Sequence, residues 1–271
     1  MPQKKIRGGK VASRGSHKKA PKPLLIGRRA LREVLRHAPG RIERVCVAEG
    51  KGDRSGSFQE IMDEVKRLGI DYVRLSAEEL DAMAGGASHQ GFVAELGERP
   101  GLDLKGFLEK RGRSDRSVVV MLDSVFDPQN LGAILRAAEC FGADAVLWSW
   151  NRGCGWVSPA AVKASAGASE LVTWVRISNL VESLKKLKSA GYWAVAADAT
   201  YGAQDLRDFT FPEKTVLVVG SEGAGLSPLL LKECDFKVKI PMFGKIESLN
   251  VSQATAIFLF AYGQTGVLKV A

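Results

Sequence analysis

The stretch TVLVVGSEGAGLSPLLLKECDFKVKIPMFGKIESLNVSQATAIFLFAY, residues 215–262, decides the fold. It opens with a β-branched apolar run at 215–219, which predicts a short buried strand that ends in a glycine-rich loop. Residues 236–241 predict a second strand that ends at a proline, an exposed loop follows at 243–248, and apolar residues then recur at roughly helical spacing over 249–262. The two strand ends therefore lead into two loops, and ligands bind at such loops in α/β sheets.

The glycine-rich loop differs from the common nucleotide-binding loops. Its glycines at 220, 223 and 225 are not followed by Lys-Ser/Thr, as in a P-loop, and they do not fit GxGxxG. A nucleoside triphosphate or dinucleotide site is therefore not predicted. All three histidines precede this region, so it contains neither a Ser-His-Asp triad nor a His-rich metal site, and we predict no bound metal.

Length and composition limit the class of protein. The chain has 271 residues, enough for one large or two ordinary domains that each bury a core. Its longest apolar runs are five to eight residues, whereas a membrane-spanning helix needs about 18 to 20. The four cysteines are scattered without a CxxC pair, which argues against disulfide frameworks and zinc knuckles. With no apolar signal sequence, the expectation is a soluble protein of the reducing cytoplasm with no membrane partner.

The net charge of +9 is concentrated at the amino terminus. Residues 1–32 hold eleven Lys and Arg and no acidic residue, which leaves −2 for the remainder. Residues 1–23 are rich in Lys, Gly, Ser and Pro with few apolar side chains, so we predict a basic disordered tail. Either this tail neutralises RNA phosphates or it only keeps the protein soluble. A mitochondrial presequence is a third option, although Lys-Gly-Pro content does not form an amphipathic helix.

Three further regions follow the tail. Residues 24–96 alternate helical and strand patterns and predict a small α/β domain. Residues 97–116 mix Gly, Pro and charge and are the best linker candidate, although 103–111 fit a short helix. Over 117–271 strands alternate with helices, which predicts a parallel sheet with helices on both faces.

Three segments of the larger region carry small and polar residues between apolar runs. They are FDPQNLGAILRAAECFGAD from Phe126, GSEGAGLSPLLLKECD from Gly220 and IPMFGKIESLNVSQATAIFLF from Ile240. In this order they resemble the signature motifs of the SpoU family of RNA 2'-O-ribose methyltransferases, a branch of the knotted SPOUT methyltransferases. The resemblance implies a trefoil knot in the C-terminal domain, S-adenosylmethionine as methyl donor, an RNA substrate, and a homodimer that completes each site across its interface.

The resemblance also implies where the methyl donor binds. The matching positions are Gly220, Ile240, Met242 and Leu249. S-adenosylmethionine needs flat apolar walls for its adenine and a close backbone approach that glycine permits. We therefore expect Gly220→Val to abolish donor binding while the fold survives. Ile240 and Leu249 would equally suit an ordinary core.

Five polar positions match the family's active site: Asn130, Arg136, Glu222, Ser248 and Asn250. Methyl transfer to a ribose 2'-hydroxyl requires the oxygen in line with the methyl group, so positioning supplies much of the catalysis. The family pattern offers Arg136 as the base, but a guanidinium is essentially always protonated, so we also predict a phosphate-anchoring role for it. Glu222 would orient the hydroxyl or Arg136. Asn250 would act in the site, cap the final helix, or do both.

Residues 24–96 resemble a second module in size and element order. It is the small RNA-binding domain, similar to a ribosomal protein, that precedes the catalytic domain in the ribosomal-RNA branch of the family. The SHQG run at 88–91 recurs there, so His89 and Gln90 either contact RNA or form a satisfied turn before a strand. The implied substrate is a guanosine of 23S ribosomal RNA.

Two alternatives to this function stay open. One is a transfer-RNA ribose 2'-O-methyltransferase, which the small domain disfavours. The other is a non-catalytic RNA-binding or ribosome-assembly factor on the same fold, which would be expected to lose Asn130, Arg136 or Asn250, all present here. Four tryptophans also allow two interpretations. They either stack on RNA bases or pack in the core and in dimer contacts; they are Trp148, Trp150, Trp156 and Trp174.

Overall fold

The computed structural model describes residues 22–49, 56–97, 99, 102–111, 114–149, 151, 153–154, 157–200 and 202–265. The predicted basic tail at 1–23 lies outside these ranges except for its last two residues, so its role stays a prediction. The Lys22 ammonium lies 2.6 Å from the Glu43 carboxylate, and the carbonyl of Pro23 accepts a hydrogen bond from the amide of Leu96.

The small domain is built on a four-stranded sheet in the order β1-β4-β2-β3. Its strands are β1 (Leu24–Ile26), β2 (Ile42–Ala48), β3 (Tyr72–Leu75) and β4 (Phe92–Leu96), and its helices are α1 (Arg28–His37), α2 (Gly56–Arg67) and α3 (Ala77–Ala84). Alternate residues of the central strands face α1 and α2 on one side and α3 on the other. The predicted small α/β domain is therefore present.

Helix α3 begins with a capping box at Ser76. The Ser76 side chain accepts a hydrogen bond from the amide of Glu79, and the Glu79 carboxylate accepts one from the amide of Ser76 at 2.8 Å. This reciprocal pair satisfies two amides that the first turn of a helix leaves without partners.

The segment predicted as a linker is packed against the larger domain. Helix α4 (Leu104–Arg111) buries Leu104 and Phe107 in that domain's core. Before it, the Arg99 guanidinium donates a hydrogen bond to the carbonyl of Val172 at 2.7 Å and lies 5.1 Å from the centroid of the Trp174 ring. The predicted short helix is confirmed, and it covers part of the large sheet.

The larger domain is a seven-stranded sheet in which every strand pair is parallel. In chain order the strands are β5 (Ser117–Asp123), β6 (Ala145–Ser149), β7 (Trp174–Ile177), β8 (Trp193–Ala197), β9 (Gln204–Asp205), β10 (Lys214–Gly220) and β11 (Phe236–Lys239), and they lie in the order β7-β6-β5-β10-β8-β11-β9. Since β5 is buried at every residue, it reads as a continuous apolar run rather than an alternating one.

Helices cover both faces of this sheet, as predicted. They are α5 (Pro128–Cys140), α6 (Pro159–Ser165), α7 (Leu180–Ser189), α8 (Pro228–Glu233) and α9 (Val251–Gln264). Apolar residues of α5, α6 and α9 share one core with one face of the sheet, while α4, α7 and α8 share a second core with the other. Strand order does not test the predicted trefoil knot, which stays a prediction. Within the described ranges, no helix is long and apolar enough to cross a lipid bilayer.

Helix α6 packs between the small domain and helix α5. Val162 of α6 lies in the core of the small domain, and Arg41 pairs with Glu170 just beyond α6 at 3.0 Å. On its other side α6 packs on α5 at Gly132, where a Cβ atom would lie 2.4 Å from the carbonyl oxygen of Ala161. The small domain is therefore held against the helix that carries the first signature motif.

Candidate active site

The carboxyl ends of neighbouring parallel strands form one edge of the large sheet. Strand β5 ends at Asp123 and β10 ends at Gly220, and these two residues are register partners. Strand β8 flanks β10 on its other side, and β11 follows β8. The loop at 221–227 and the loop at 240–249 therefore start from the same edge, as the sequence predicts.

Three of the five predicted active-site residues form one hydrogen-bonded cluster, which comprises Asn130, Glu222 and Asn250. The side-chain amide of Asn250 donates to Asn130 Oδ1 at 2.8 Å and to Glu222 Oε1, and the amide of Asn130 donates to the same Glu222 oxygen at 3.1 Å. These residues come from α5, the glycine loop and the start of α9. The cluster thus joins all three signature motifs at one point.

One carboxylate oxygen of Glu222 accepts all of the hydrogen bonds in this cluster. Oε1 also lies 3.4 Å from the backbone amide of Val251. With the described residues, the other oxygen, Oε2, makes no hydrogen bond, and the Glu222 side chain is exposed to solvent. An exposed acceptor of fixed position is therefore left at the mouth of the two loops.

Asn250 caps the final helix, as predicted, and also takes part in the cluster; its role in the reaction stays a prediction. It is the N-cap of α9, where its Oδ1 accepts from the backbone amide of Ser252 at 2.9 Å and from the Ser252 hydroxyl. Because a backbone amide can only donate, this contact fixes Oδ1 toward the helix and directs the Asn250 amide nitrogen toward the cluster. Sequence reasoning did not identify Ser252.

Arg136 and Ser248 lie outside the cluster. Arg136 is exposed on α5, about 9 Å further along the helix axis than Asn130 and about 120° around it. Ser248 is exposed in the loop two residues before Asn250. Neither side chain makes a hydrogen bond or ion pair with any part of the chain that the structure describes, so both remain available to a ligand or to another chain.

Gly220 is a glycine because its own loop needs the space. A Cβ atom there would lie 2.2 Å from the carbonyl carbon and oxygen of Gly225 and 2.6 Å from the amide of Leu226. The loop folds back in this way because the amide of Gly225 donates to the carbonyl of Ser221 at 3.0 Å. Any side chain at this position displaces the loop backbone, so we now expect Gly220→Val to destabilise the fold and not only to affect donor binding.

The loop at 240–249 combines apolar side chains with free backbone groups. Ile240 and Leu249 are half-buried and Met242 is 38% exposed, while Phe243 and Ile246 are 85% and 75% exposed. Within the described ranges, residues 241–249 make no backbone hydrogen bonds. Apolar walls beside unpaired amides and carbonyls suit a flat heteroaromatic ring with a polar edge, so these residues fit the adenine of S-adenosylmethionine.

Two buried thiols of this domain are structural. Near the site, the Cys154 thiol donates to the carbonyl of Phe126 at 2.9 Å, and burial raises its pKa. At the opposite edge, just before β11, burial raises the pKa of Cys234 to about 12. Neither of these two thiols is therefore an activated nucleophile. On the flank of the site, hydrogen bonds from Arg207 lower the pKa of Asp205 to about 2, and the Arg207 guanidinium lies 5.6 Å from the centroid of the Phe243 ring.

The remaining predicted contacts have structural partners within the chain. His89 Nε2 lies 3.1 Å from the Asp81 carboxylate and its Nδ1 accepts from the amide of Gly91, while the side-chain oxygen of Gln90 accepts from the amide of Arg28. These bonds favour the satisfied-turn interpretation. Trp148 is 1% exposed and packs 5.6 Å from Trp174, which confirms packing in the core for that pair; Trp150 and Trp156 lie outside the described residues.

Two family models match this chain. The SpoU rRNA methylase family matches residues 117–260, and a module described as RNA 2'-O ribose methyltransferase substrate binding matches residues 24–100. The 23S rRNA (guanosine-2'-O-)-methyltransferase RlmB of Coxiella burnetii is 36% identical over 237 residues, which cover 87% of this chain and 93% of the relative. RlmB of Neisseria meningitidis serogroup B is 32% identical over 246 residues, with coverage of 90% and 96%.

Solved structures share the fold. The SpoU methyltransferase AviRb from Streptomyces viridochromogenes, solved with AdoMet, has a TM-score of 0.73 at 24% identity and covers 90% of this chain and 89% of its own. An AdoMet-bound rRNA methyltransferase from Sinorhizobium meliloti has a TM-score of 0.71 at 23% identity, with coverage of 89% and 86%. With its signature motifs joined at one edge of the sheet, the chain belongs to the SpoU rRNA methylase family of RNA 2'-O-ribose methyltransferases.

Proposed function

We propose that this protein transfers a methyl group from S-adenosylmethionine to the ribose 2'-hydroxyl of a guanosine in 23S ribosomal RNA. The observation that carries the proposal is the cluster of Asn130, Glu222 and Asn250, which leaves one carboxylate oxygen free beside an apolar loop with unpaired backbone groups. The guanosine and the 23S RNA are supported by RlmB relatives of 36% and 32% identity over nearly the whole chain.

The two loops would hold the methyl donor. When bound, S-adenosylmethionine supplies an electrophilic methyl group. Ile240, Met242 and Leu249 offer apolar contact, and the free amides and carbonyls of 241–249 offer partners for a polar ring edge. Gly220 contributes indirectly, because its missing side chain lets the glycine loop close on its own backbone.

The cluster would orient the ribose. Glu222 Oε2 is the free acceptor, so it can receive a hydrogen bond from the 2'-hydroxyl and fix the direction of the oxygen lone pairs. Asn130 and Asn250 hold the other carboxylate oxygen, which prevents the side chain from turning away. Correct alignment of the two reacting atoms supplies a large part of the rate enhancement in such a transfer. Ser248, exposed beside Asn250, is available to the same ribose.

Arg136 would hold the RNA backbone. Its guanidinium has no partner among the described residues and stays charged, and its planar fork matches two phosphate oxygens. We assign it the grip on the phosphate next to the target ribose rather than the literal removal of a proton. If Arg136 also helps to activate the 2'-hydroxyl, it would do so by fixing the position of the ribose through this phosphate.

The division of labour follows the two sheets. Residues 24–96 would select the RNA, residues 117–271 would carry out the transfer, and 97–116 would join them. The basic tail at 1–23 would add affinity through phosphate contacts that carry no sequence information. Because the RlmB relatives act on ribosomal RNA, we place the protein in the cytoplasm, where ribosomes are assembled.

A homodimer would complete the site. Helix α9 is apolar on both sides: Phe258 and Leu259 are buried, whereas Ile257 and Phe260 are 38% and 55% exposed. Phe141 at the end of α5 packs edge-on 6.2 Å from Phe260 and extends this surface. A helix that is apolar all round is normally covered by protein. Since Arg136 lies on another side of α5 than Asn130, a second copy of the chain would bring its Arg136 to this cluster.

The function is tested with labelled S-adenosylmethionine and protein-free RNA from cells that lack ribose methylation. We expect one 2'-O-methylguanosine in 23S RNA, located by nuclease mapping. A product only in transfer RNA would favour the transfer-RNA alternative. Tight binding to 23S RNA without any product, by a protein that also fails to bind the donor in calorimetry, would favour a non-catalytic assembly factor.

The composite site is tested by mixing inactive variants. Arg136→Ala and Asn250→Ala homodimers are each expected to be inactive, whereas exchanged heterodimers contain one site with both residues intact. Activity should therefore return on mixing. Arg136→Ala mixed with the double variant Arg136→Ala/Asn250→Ala is the matched control, since it supplies no intact Arg136. If both mixtures stay inactive although subunits exchange, each site is built within one chain.

A further inference from the structure

Asp123 is unusual among the buried polar residues. It is 0% exposed at the end of the central strand β5. Within the described part of the chain, every other buried polar side chain is the hydroxyl of a Ser or Thr. Burial of a carboxyl group is unfavourable unless hydrogen bonds compensate for its lost hydration. Its position therefore requires specific partners.

Those partners connect Asp123 to the far end of the glycine loop. Oδ2 accepts a hydrogen bond from the backbone amide of Ser227 at 2.8 Å, and Oδ1 accepts one from the hydroxyl of Ser124 at 3.0 Å. The near end of the same loop, Gly220, is the register partner of Asp123 in the neighbouring strand. The Asp123 side chain thus lies beside Gly220, where the strand enters the loop, and accepts a hydrogen bond from Ser227, where the loop ends.

The loop between these two points carries Glu222. The tip of the loop, residues 222–225, is exposed. Among the described residues, one backbone-to-backbone hydrogen bond has both partners within the loop, from the amide of Gly225 to the carbonyl of Ser221. Apart from the bond to Ser227, the loop is held by that turn, by Leu226 buried in the core and by the contacts of the Glu222 side chain. The bond from Asp123 is the polar contact that fixes the backbone at the far end of the loop, and the position of Oε2 depends in part on it.

We infer that Asp123 is a positioning residue: by holding Ser227 it fixes the glycine loop, and with it Glu222 and the backbone that faces the methyl donor. This inference rests on the proposed function for its effect on donor binding. Asp123 itself would touch neither donor nor RNA, because it has no exposed surface. Its effect is therefore expected in donor affinity and loop order before any change in the chemical step.

Three variants separate geometry from charge. Asp123→Asn keeps an oxygen that can accept from Ser227, and its amide can donate to the Ser124 hydroxyl, so it should rescue the contact without the charge. Asp123→Ala removes both contacts. Asp123→Leu also removes both contacts but fills the same space with an apolar side chain, so it separates loss of the hydrogen bonds from creation of a cavity.

Asp144→Ala is the matched control. Asp144 also accepts a serine hydroxyl, that of Ser117 at 2.6 Å, but at the opposite edge of the same sheet. Its loss should lower the stability of the fold without touching the glycine loop. Hydrogen exchange of each variant is compared with wild type at denaturant concentrations that lie equally far below their unfolding midpoints, which removes differences in global stability.

The experiment measures hydrogen exchange of the loop amides and calorimetric affinity for S-adenosylmethionine, followed by kcat and KM on RNA. For Asp123→Ala and Asp123→Leu we expect faster exchange across 221–227 and at least a tenfold weaker donor affinity, with Asp123→Asn within about threefold of wild type and Asp144→Ala unchanged in both. If Asp123→Ala does not fold, Asp123→Leu decides.

Wild-type exchange and donor affinity in folded Asp123→Ala or Asp123→Leu would overturn the inference. So would an equal loss in Asp144→Ala, because the effect would then belong to general stability. Failure of the proposed function has a different signature: the wild-type protein itself would not bind donor or methylate RNA. Hydrogen exchange needs no ligand, so it would still report whether Asp123 orders the loop.

Discussion

The two edges of the seven-stranded sheet both carry polar side chains, yet they use them in opposite ways. At the amino edge, Ser117 donates to Asp144 at 2.6 Å and lies 2.8 Å from the hydroxyl of Tyr192, which must donate in return because serine has one hydrogen. At the carboxyl edge, Glu222 keeps one free oxygen, and on the helix that begins at this edge Arg136 has no partner among the described residues.

The amino edge continues this pattern of internal partners. Arg116 donates to the carbonyl of Tyr262 at 2.7 Å and lies 4.4 Å from the centroid of its ring, and the Tyr262 hydroxyl donates to the carbonyl of Glu213 at 2.6 Å. Polar groups bonded within the chain stabilise the fold, whereas polar groups held in place without a partner are available to bind. The comparison predicts that substitutions at the amino edge change stability and that substitutions at the carboxyl edge change activity.

The largest expected effect is on turnover at the carboxyl edge. Arg136→Ala should lower kcat by roughly a hundredfold or more if the guanidinium places the target phosphate, and Arg136→Lys should recover little because it lacks the planar fork. Stability should change by less than about 0.5 kcal/mol, because the side chain is exposed. Single-turnover kinetics and donor calorimetry measure both consequences.

Arg67→Ala is the control for loss of a surface arginine, since among the residues that the structure describes Arg67 pairs only with Glu64 on its own helix. It should leave turnover and stability near wild type. Near-normal methylation by Arg136→Ala at saturating RNA would contradict the catalytic role and the placement of the active site beside α5.

Gly220 is the exception to the comparison, since it lies at the carboxyl edge but should act on stability. Gly220→Ala places a Cβ atom 2.2 Å from the backbone of Gly225, so we expect destabilisation of about 3 kcal/mol in urea unfolding. Gly40→Ala is the control, because nothing lies within 4 Å of a Cβ atom there. Equal stability of the two variants would show that the loop moves aside freely.

A smaller effect on stability is expected at the amino edge. Ser117→Ala and Asp144→Ala should each destabilise the fold by about 1 to 3 kcal/mol, because each leaves a buried or half-buried partner without its hydrogen bond. The double variant should lose less than the sum of the two. Donor affinity should not change in either single variant, and a selective loss of donor binding would contradict the separation of the two edges.

Apolar pattern predicts most of the fold because most strands are buried on both faces. The predicted strands at 215–219 and 236–241 correspond to β10 and β11, and the apolar residues at helical spacing over 249–262 correspond to α9. Strand β7 was not predicted because its sequence, WVRI, contains a half-buried arginine that interrupts the apolar run. Strand β9 was not predicted because two residues are too few to show an alternating pattern. These strands are defined by their neighbours in the sheet rather than by their own residues.

The site was predictable only as far as the motifs reach. They supplied Asn130, Glu222 and Asn250, whose side chains meet although 92 and 28 residues separate Glu222 from the other two. They did not reveal Asp123, because its partner is a backbone amide 104 residues away that leaves no mark in the side-chain pattern. For the same reason they did not show that Gly220 leaves space for the backbone of its own loop, while its predicted contact with the donor stays a prediction.

The smallest effect at neutral pH concerns Tyr262 at the amino edge. Burial raises the pKa of Tyr262 to about 12, whereas a tyrosine in an unfolded chain has a pKa of about 10. Between pH 10 and 12 the unfolded state therefore loses this proton first, so the contribution of Tyr262 to stability is complete below pH 10 and declines as the pH rises toward 12. Tyr262→Phe should lower stability by about 1 kcal/mol at pH 8, through the lost bond to Glu213, and the difference from wild type should shrink above pH 10.

Urea unfolding at pH 8 to 12 measures this, with Tyr72→Phe, at a position 42% exposed, as the control for removal of a phenol. If the difference between Tyr262→Phe and wild type stays constant over that range, the Tyr262 hydroxyl does not titrate differently in the folded protein, and the amino edge is less closed to solvent than its hydrogen bonds indicate.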